Sequence, residues 1–248
     1  MAHHGNIPKK PPTLLLQIRD HRESLMQERR AFIERCLVDV DRFDFINLVE
    51  HPRLRFTEIE SAHAVLIGGA GGYSVTDEHP FSPWLRDVFN QLVEEDRPVF
   101  GSCWGHQFMA VATGGEVIID KQRSEVGTFE VELTDAGLRD PLFHGFPNRF
   151  DVQLGHNDQI SRLSDDWSVL AFSELCPNQA IRLQGKPVYG TQFHSELNET
   201  RLRERLEVYL QEYVPDAEAY DRLMKRLRPS PRADVMLDRF LTLYAERS

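Results

Sequence analysis

Three short apolar runs in this chain end directly in turns made of glycine or of polar, chemically equipped residues. Ala64 to Ile67 leads into Gly68-Gly69-Ala70-Gly71-Gly72, Pro98-Val99-Phe100 into Gly101-Ser102-Cys103-Trp104-Gly105-His106-Gln107, and the run from Pro187 to Phe193 into His194-Ser195-Glu196. An apolar run of about four to eight residues bounded by turn signals suits a buried strand. Thr13 to Arg19 and Phe43 to Leu48 read the same way. Between these runs the spacing turns helical: Leu25, Arg29, Phe32 and Cys36 share a partly apolar face over 23–36, and Trp84, Leu85, Val88, Phe89 and Leu92 do so over 83–95. Residues 107–113 continue from the second run as a helix, and 199–213 follow the third with Leu202, Leu206, Tyr209 and Leu210 on related faces. Strand and helix in alternation predict an α/β fold with a mostly parallel sheet, whose ligand sites lie beyond the C-terminal ends of the strands.

The middle of the chain changes character. Glu125 to Leu133 alternates in part, and Asp151 to Leu154 and Val169 to Ser173 offer short strands, which predicts an antiparallel edge or insertion. Two further helices are expected over 217–227 and 233–245, joined by the Arg-Pro-Ser-Pro-Arg segment at 228–232. At 248 residues the expectation is one globular unit: an exposed lead-in over 1–12, the domain proper over 13–213, and a helical extension over 214–248 packed on the same domain.

Charge and cysteine usage exclude several classes. Lys and Arg number 29 against 39 Asp and Glu, and a net charge of -10 leaves no broad basic footprint for nucleic acid or an anionic membrane. No apolar stretch approaches the roughly 20 residues needed to cross a bilayer, and the first residues lack the apolar region of a secretory signal. Cys36, Cys103 and Cys176 are too few and too scattered for a disulfide framework or a zinc motif, and the histidines form no metal-ligand pattern. The expectation is a soluble, cytoplasmic protein with no metal, no cofactor, and neither nucleic acid nor membrane as partner.

Cys103 stands where chemistry is feasible. Gly101 and Gly105 permit a sharp strand-to-helix elbow that exposes the sulfur, points backbone N–H groups at an oxyanion, and sets a helix N-terminus where it favours a thiolate. The competing reading is a buried structural cysteine, a common fate for a small apolar side chain. His194 has the chemistry to activate a thiol and Glu196 to orient the imidazole, and an extended backbone would put both on one side of a strand. His-x-Glu alone has little specificity; beside Cys103 and the flanking strands it is informative.

With the motifs GSCWGHQ and VYGTQFHSE, and more weakly LIGGAGGYSV, the chain resembles class I glutamine amidotransferases, especially the glutaminase part of guanosine-monophosphate synthase, from about Leu14 to Tyr213. The resemblance implies a three-layer sandwich in which helices flank the sheet and a strand–nucleophile–helix elbow carries the reaction. It implies Cys103 as nucleophile, His194 as acid/base and Glu196 as its orienter, with Gly69 and the Trp104 N–H in the oxyanion hole and Gln107 in glutamine recognition. Ala70 departs from the proline often found in the family's first glycine-rich loop, and Gly71-Gly72 enlarge that loop. The segment Gly155-His156-Asn157-Asp158 resembles a substrate-side loop, so His156 and Asp158 are candidate substrate contacts or simply turn-capping groups. Tyr73 and Trp104 are candidate pocket aromatics or core side chains.

The activity implied is hydrolysis of the L-glutamine side-chain amide through a γ-glutamyl thioester, with ammonia passed to a separate synthetase or transferase. Two alternatives stay open: a hydrolase of γ-glutamyl peptides or amides, and a catalytically silent interaction module on the same fold.

Overall fold

The structure, a computed structural model, describes residues 12–208 and 217–245. Nine strands form one sheet in the order β2-β1-β3-β4-β11-β10-β9-β6-β7. Five of them are parallel neighbours: β2 (Phe43–Asn47), β1 (Thr13–Ile18), β3 (Ala64–Ala70), β4 (Val99–Ser102) and β11 (Val188–Thr191). Antiparallel pairing then carries the sheet through β10 (Ala180–Leu183), β9 (Trp167–Phe172), β6 (Glu125–Leu133) and β7 (Arg149–His156). The expected antiparallel edge is therefore the far half of the same sheet. Three strands escape a reading by apolar runs: β10 is only four residues long, while β5 (Glu116–Ile119) and β8 (Asp158–Arg162) pair with each other in a small second sheet.

Alternation along the central strands produces the three layers. Leu15, Leu66, Phe100 and Tyr189 face one side, where they meet Phe32 and Cys36 of α1 (Arg22–Cys36) and Met236, Leu237, Phe240 and Leu241 of the last helix. Their neighbours Leu14, Leu16, Val65, Ile67, Val99 and Val188 face the other side, against α2 (Ser82–Glu94) and α3 (Trp104–Ala112). In a strand flanked on both sides, successive residues serve opposite cores, which is why these runs read as continuously apolar. A short helix, α4 (Asp135–Arg139), follows β6.

The later helices are α5 (Glu199–Val208), α6 (Ala217–Arg226) and α7 (Met236–Tyr244). Helix α5 is described as far as Val208; the remainder of its expected span over 209–213, the residues on to 216 and the lead-in over 1–11 lie outside the described residues. Leu202 and Leu206 of α5 pack with Ala31 of α1 and with Leu197, forming a small satellite core. Arg201 of the same helix donates to Glu34 of α1, Nε to Oε2 at 3.0 Å.

The glycine-rich segment after β3 departs from expectation. Gly68, Gly69 and Ala70 remain in the strand, and only Gly71-Gly72 turn. The first two are small for reasons of contact: a Cβ on Gly68 would sit 2.8 Å from Glu28 Oε1, and one on Gly69 3.1 Å from His194 Cε1. The elbow glycines are constrained more severely. A Cβ on Gly101 would lie 2.6 Å from the Gly105 carbonyl carbon, and one on Gly105 would meet the carbonyl oxygen of Ile67 and stand 2.8 Å from its Cβ. Helix α3 thus rests directly on β3 and β4 by backbone contact.

Gly105→Ala is expected to destabilise the fold by about 1–3 kcal/mol because rigid backbone must move. Gly72→Ala, where a Cβ meets nothing within 4 Å, should stay within about 0.5 kcal/mol of the parent. Urea unfolding midpoints compare the two, and equal midpoints would contradict backbone contact as the constraint on α3.

Candidate active site

Strand β4 is buried along its length and ends at Ser102; Cys103 follows with φ 51° and ψ -99°, and α3 begins at Trp104. A side chain at positive φ costs on the order of 1–3 kcal/mol and persists only where the surroundings impose it. Here the Cys103 N–H donates to the Thr191 carbonyl at 2.8 Å, and the Cys103 carbonyl accepts from the Gln107 N–H at 3.1 Å. The sequence-predicted elbow is therefore present, with Cys103 only 8% exposed. Trp104 is the first residue of α3, so its amide is among those a helix leaves without an intrahelical acceptor.

Strand β11 lies beside β4, with Thr191 level with Ser102. The chain leaves β11 at Thr191, so His194 and Glu196 meet in a turn, and the extended backbone expected through them is absent. The Thr191 hydroxyl donates to the Phe193 carbonyl at 2.7 Å and shapes that turn. His194 Nδ1 lies 2.6 Å from Glu196 Oε1, and Ser102 Oγ donates to Glu196 Oε2 at 2.7 Å. With Nδ1 so engaged, Nε2 is the nitrogen available to Cys103, which lines the same cavity.

Electrostatics bind these groups into one unit. Burial opposes charge on His194, but Glu196 and then Cys103 outweigh it and push the imidazole up to about 10. Burial likewise works against the Glu196 carboxylate, yet His194 and Ser102 overcome it and bring the group down to about 2. The other two cysteines behave differently: burial pushes the Cys36 thiol well up and the Cys176 thiol up to about 12, which leaves both protonated and inert.

Around the sulfur, Gln192 Nε2 points at Cys103 Sγ from 3.6 Å, and Gln107 Nε2 donates to Gln192 Oε1 at 3.0 Å and to the Asp158 carbonyl at 2.7 Å. Ser74 Oγ donates to the Asp158 carboxylate and ties the loop after β3 to the one before β8. A cavity of about 30 Å³ remains beside the sulfur, lined among others by Arg19, Gly71, Cys103, His194 and Arg205. That is space for about two waters, and Leu202, Arg205 and Leu206 of α5 form part of its wall.

Most of the residues singled out in the sequence converge here: Cys103, His194, Glu196, Gly69 and Gln107, with Gly101 and Gly105 supporting the elbow. Others stand apart. Tyr73 packs edge-on against His79 and Phe81, and the Trp104 ring stacks on Phe108 at 5.3 Å, so both belong to an aromatic cluster away from the cavity lining. His156 is buried with Nδ1 2.9 Å from the Asp158 carbonyl and Nε2 3.0 Å from Glu125 Oε2. Asp158 reaches the site through its backbone carbonyl. Sequence reasoning passes over Ser102, Gln192, Arg19 and Arg205. Among the described residues no group of three or more His, Cys, Asp or Glu is arranged to hold a metal ion, and no helix is long and apolar enough to cross a membrane.

Comparison with known proteins places this geometry. A family profile described as "Glutamine amidotransferase class-I" matches residues 30–207. One subunit of GMP synthase (glutamine-hydrolyzing) from Methanothermobacter thermautotrophicus is 40% identical over 104 residues, which is 42% of this chain and 54% of that protein. The corresponding subunit from Methanopyrus kandleri is 36% identical over 115 residues, 46% of this chain and 59% of that protein. The chain thus matches little more than half the length of these curated relatives. In fold, the glutamine amidotransferase of Thermotoga maritima superposes with a TM-score of 0.76 over 95% of this chain and 99% of that one, at 22% identity.

The coupled pair carries a pH signature. Glu196 sits below its ordinary value of 4.5, so its contribution to stability is complete above that value and lost as pH falls through about 2. His194 sits above its ordinary 6.5, so its contribution is complete below that value and lost as pH rises through about 10. Glu196→Gln should therefore cost most near pH 5.5, about 3 kcal/mol, with the gap from the parent narrowing towards pH 10. Denaturant unfolding across that range measures it, and a gap independent of pH would show that the ion pair is not the source.

Proposed function

The chain belongs to the class I glutamine amidotransferases, and from that premise we propose that it hydrolyses the side-chain amide of L-glutamine to glutamate and ammonia through a cysteinyl thioester. The observation that carries the reading is the strained Cys103 elbow facing an imidazole whose other nitrogen is held by the buried Glu196. In this scheme Cys103 gives its proton to His194 as Sγ attacks the amide carbon, and charge collects on the former carbonyl oxygen. Backbone amides of Gly69 and Trp104 receive that oxyanion at the end of β3 and the start of α3. His194 then gives its proton to the departing nitrogen, so that ammonia leaves as the carbon–nitrogen bond breaks and the thioester forms. Water next attacks the thioester while His194 takes its proton and returns it to sulfur as the carbon–sulfur bond breaks, so that glutamate departs with the thiol restored. Glu196 holds the ring in place throughout and does not itself react.

Gln107 and the backbone near Asp158 are suited to hold the substrate. Leu202, Arg205 and Leu206 of α5 and Gly71 beyond β3 form part of the cavity wall that the glutamine would meet. The relatives are named as subunits of a synthase, which supports delivery of the ammonia to a separate acceptor enzyme. A reducing, cytoplasmic setting belongs to the same reading, since Cys103 acts as a thiol.

Purified protein supplied with L-glutamine should release glutamate and ammonia in equal amounts, and with an active ammonia-accepting synthetase glutamate should still form while free ammonia falls below it. Cys103→Ala should reduce turnover by at least about a thousandfold. Full turnover by that variant would overturn the mechanism. Strong cleavage of γ-glutamyl peptides with negligible action on glutamine would replace the substrate assignment while keeping the chemistry.

A further inference from the structure

A second buried imidazole–carboxylate pair lies behind the substrate-side loop. Glu125 and His156 face each other in the β6–β7 register, with His156 Nε2 3.0 Å from Glu125 Oε2. Glu125 has no exposed surface and also accepts from Gln179 Nε2 at 2.7 Å and from Ser173 Oγ at 2.8 Å. Burying a carboxylate is costly unless donors surround it; Gln179 and Ser173 donate here, and the His156 ring lies against the same carboxylate. The remaining nitrogen of the ring, Nδ1, meets the Asp158 carbonyl at 2.9 Å. A ring nitrogen that faces a carbonyl carries its hydrogen.

The Asp158 carbonyl offers two lone pairs, and the second is used by Gln107 Nε2 at 2.7 Å. The other hydrogen of the same amide nitrogen goes to Gln192 Oε1 at 3.0 Å, so the Gln107 amide has one orientation and its Oε1 a set direction. Gln192 in turn aims its own amide nitrogen at Cys103 Sγ, and its backbone N–H donates to the Gln179 carbonyl at 2.8 Å, beside the Glu125 cluster. The hydrogen bonds therefore run without a break from Glu125 through His156, the Asp158 carbonyl, Gln107 and Gln192 to the sulfur.

We propose that Glu125 and His156 are positioning residues for the amide-handling side chains of the active site: the pair fixes the Asp158 carbonyl, the carbonyl fixes Gln107, and Gln107 fixes Gln192 against Cys103. Neither member touches the nucleophile or lines the cavity beside it. The inference rests on the glutaminase reading for the identity of the substrate, while the ordering of Gln107 and Gln192 is a property of the chain itself. Since Gln107 would hold the substrate equally in the ground and transition states, loosening it raises KM more than it lowers kcat.

The test uses the whole chain with His156→Leu, which removes both ring contacts, and His156→Asn, whose shorter amide returns a donor near the place of Nδ1. Glutamine kinetics are measured where each variant is folded by its own thermal unfolding curve. Alkylation of Cys103 by iodoacetamide, itself a small primary amide, is followed in parallel by peptide mass. His156→Leu should raise KM about tenfold with less than about a threefold change in kcat, and slow alkylation about fivefold, with His156→Asn recovering most of both losses. Should His156→Leu fail to fold, Glu125→Gln, which retains an acceptor for Ser173, takes the same two readouts. Wild-type KM and alkylation rate in the folded disrupting variant, or equal impairment of the Leu and Asn variants, would overturn the proposal. If the wild-type chain leaves glutamine untouched while the alkylation pattern is as expected, the glutaminase reading falls and the positioning role stands.

Discussion

The parallel pairing of β4 with β11 is the constraint on which the site depends. Its last matched residues, Ser102 and Thr191, are the last strand positions before Cys103 and before the histidine turn. One hydrogen bond from the Cys103 N–H to the Thr191 carbonyl locks the strained residue to the neighbouring strand. One from Ser102 to Glu196 crosses the same boundary in the other direction. Shifting this pairing by a residue would turn Ser102 to the opposite face and separate Cys103, His194 and Glu196 at once. The pairing is in turn secured by apolar alternation: Val99 and Val188 serve the α2–α3 side, Phe100 and Tyr189 the α1–α7 side.

Close packing completes what the register begins. Gly101 and Gly105 bring α3 onto the sheet by backbone contact, and this sets the helix N-terminus at the mouth of the elbow. Phe240 of α7 packs edge-on against Phe100 at 5.3 Å and Tyr189 at 5.9 Å, bracing the two site strands from behind. The last helix thus contributes to the site while standing on the far face of the sheet.

These relations explain what is legible in the sequence. The apolar runs and helical faces are local patterns, and strand β6 matches its expected span residue for residue. Cys103, His194 and Glu196 are legible because each sits in a turn after such a run, and their convergence needs only that the runs be neighbouring strands. Ser102 looks like one more strand residue, and its service to Glu196 exists only once β11 is alongside. Glu125 reads as the first position of an alternating strand, and nothing local distinguishes it from an exposed glutamate. Gly68 and Gly69 suggest a turn because glycine usually signals one; their smallness answers instead to Glu28 and His194, both distant in sequence. His156 belongs with the substrate-side loop, as its neighbours in sequence imply, yet the direction of its ring depends on a partner thirty-one residues away.

Three carboxylates without exposed surface surround this region: Glu28, Glu125 and Glu196. Each supports a cation or an imidazole: Glu28 the Arg19 guanidinium at 2.7 Å, Glu125 the ring of His156, and Glu196 the ring of His194. Buried ion pairs are weak sources of stability, since the attraction regained barely offsets the hydration lost, and apolar residues of similar size often do as well. Concentrating three buried carboxylates around this region is therefore hard to explain by folding. It is readily explained by direction: a carboxylate with several donors has few ways to turn, and a ring or guanidinium attached to it inherits that rigidity. Arg19 and His194 line the cavity beside the sulfur, while His156 is connected to it through the Asp158 carbonyl, Gln107 and Gln192. What the fold forgoes in burying these charges returns as fixed geometry around a single strained cysteine.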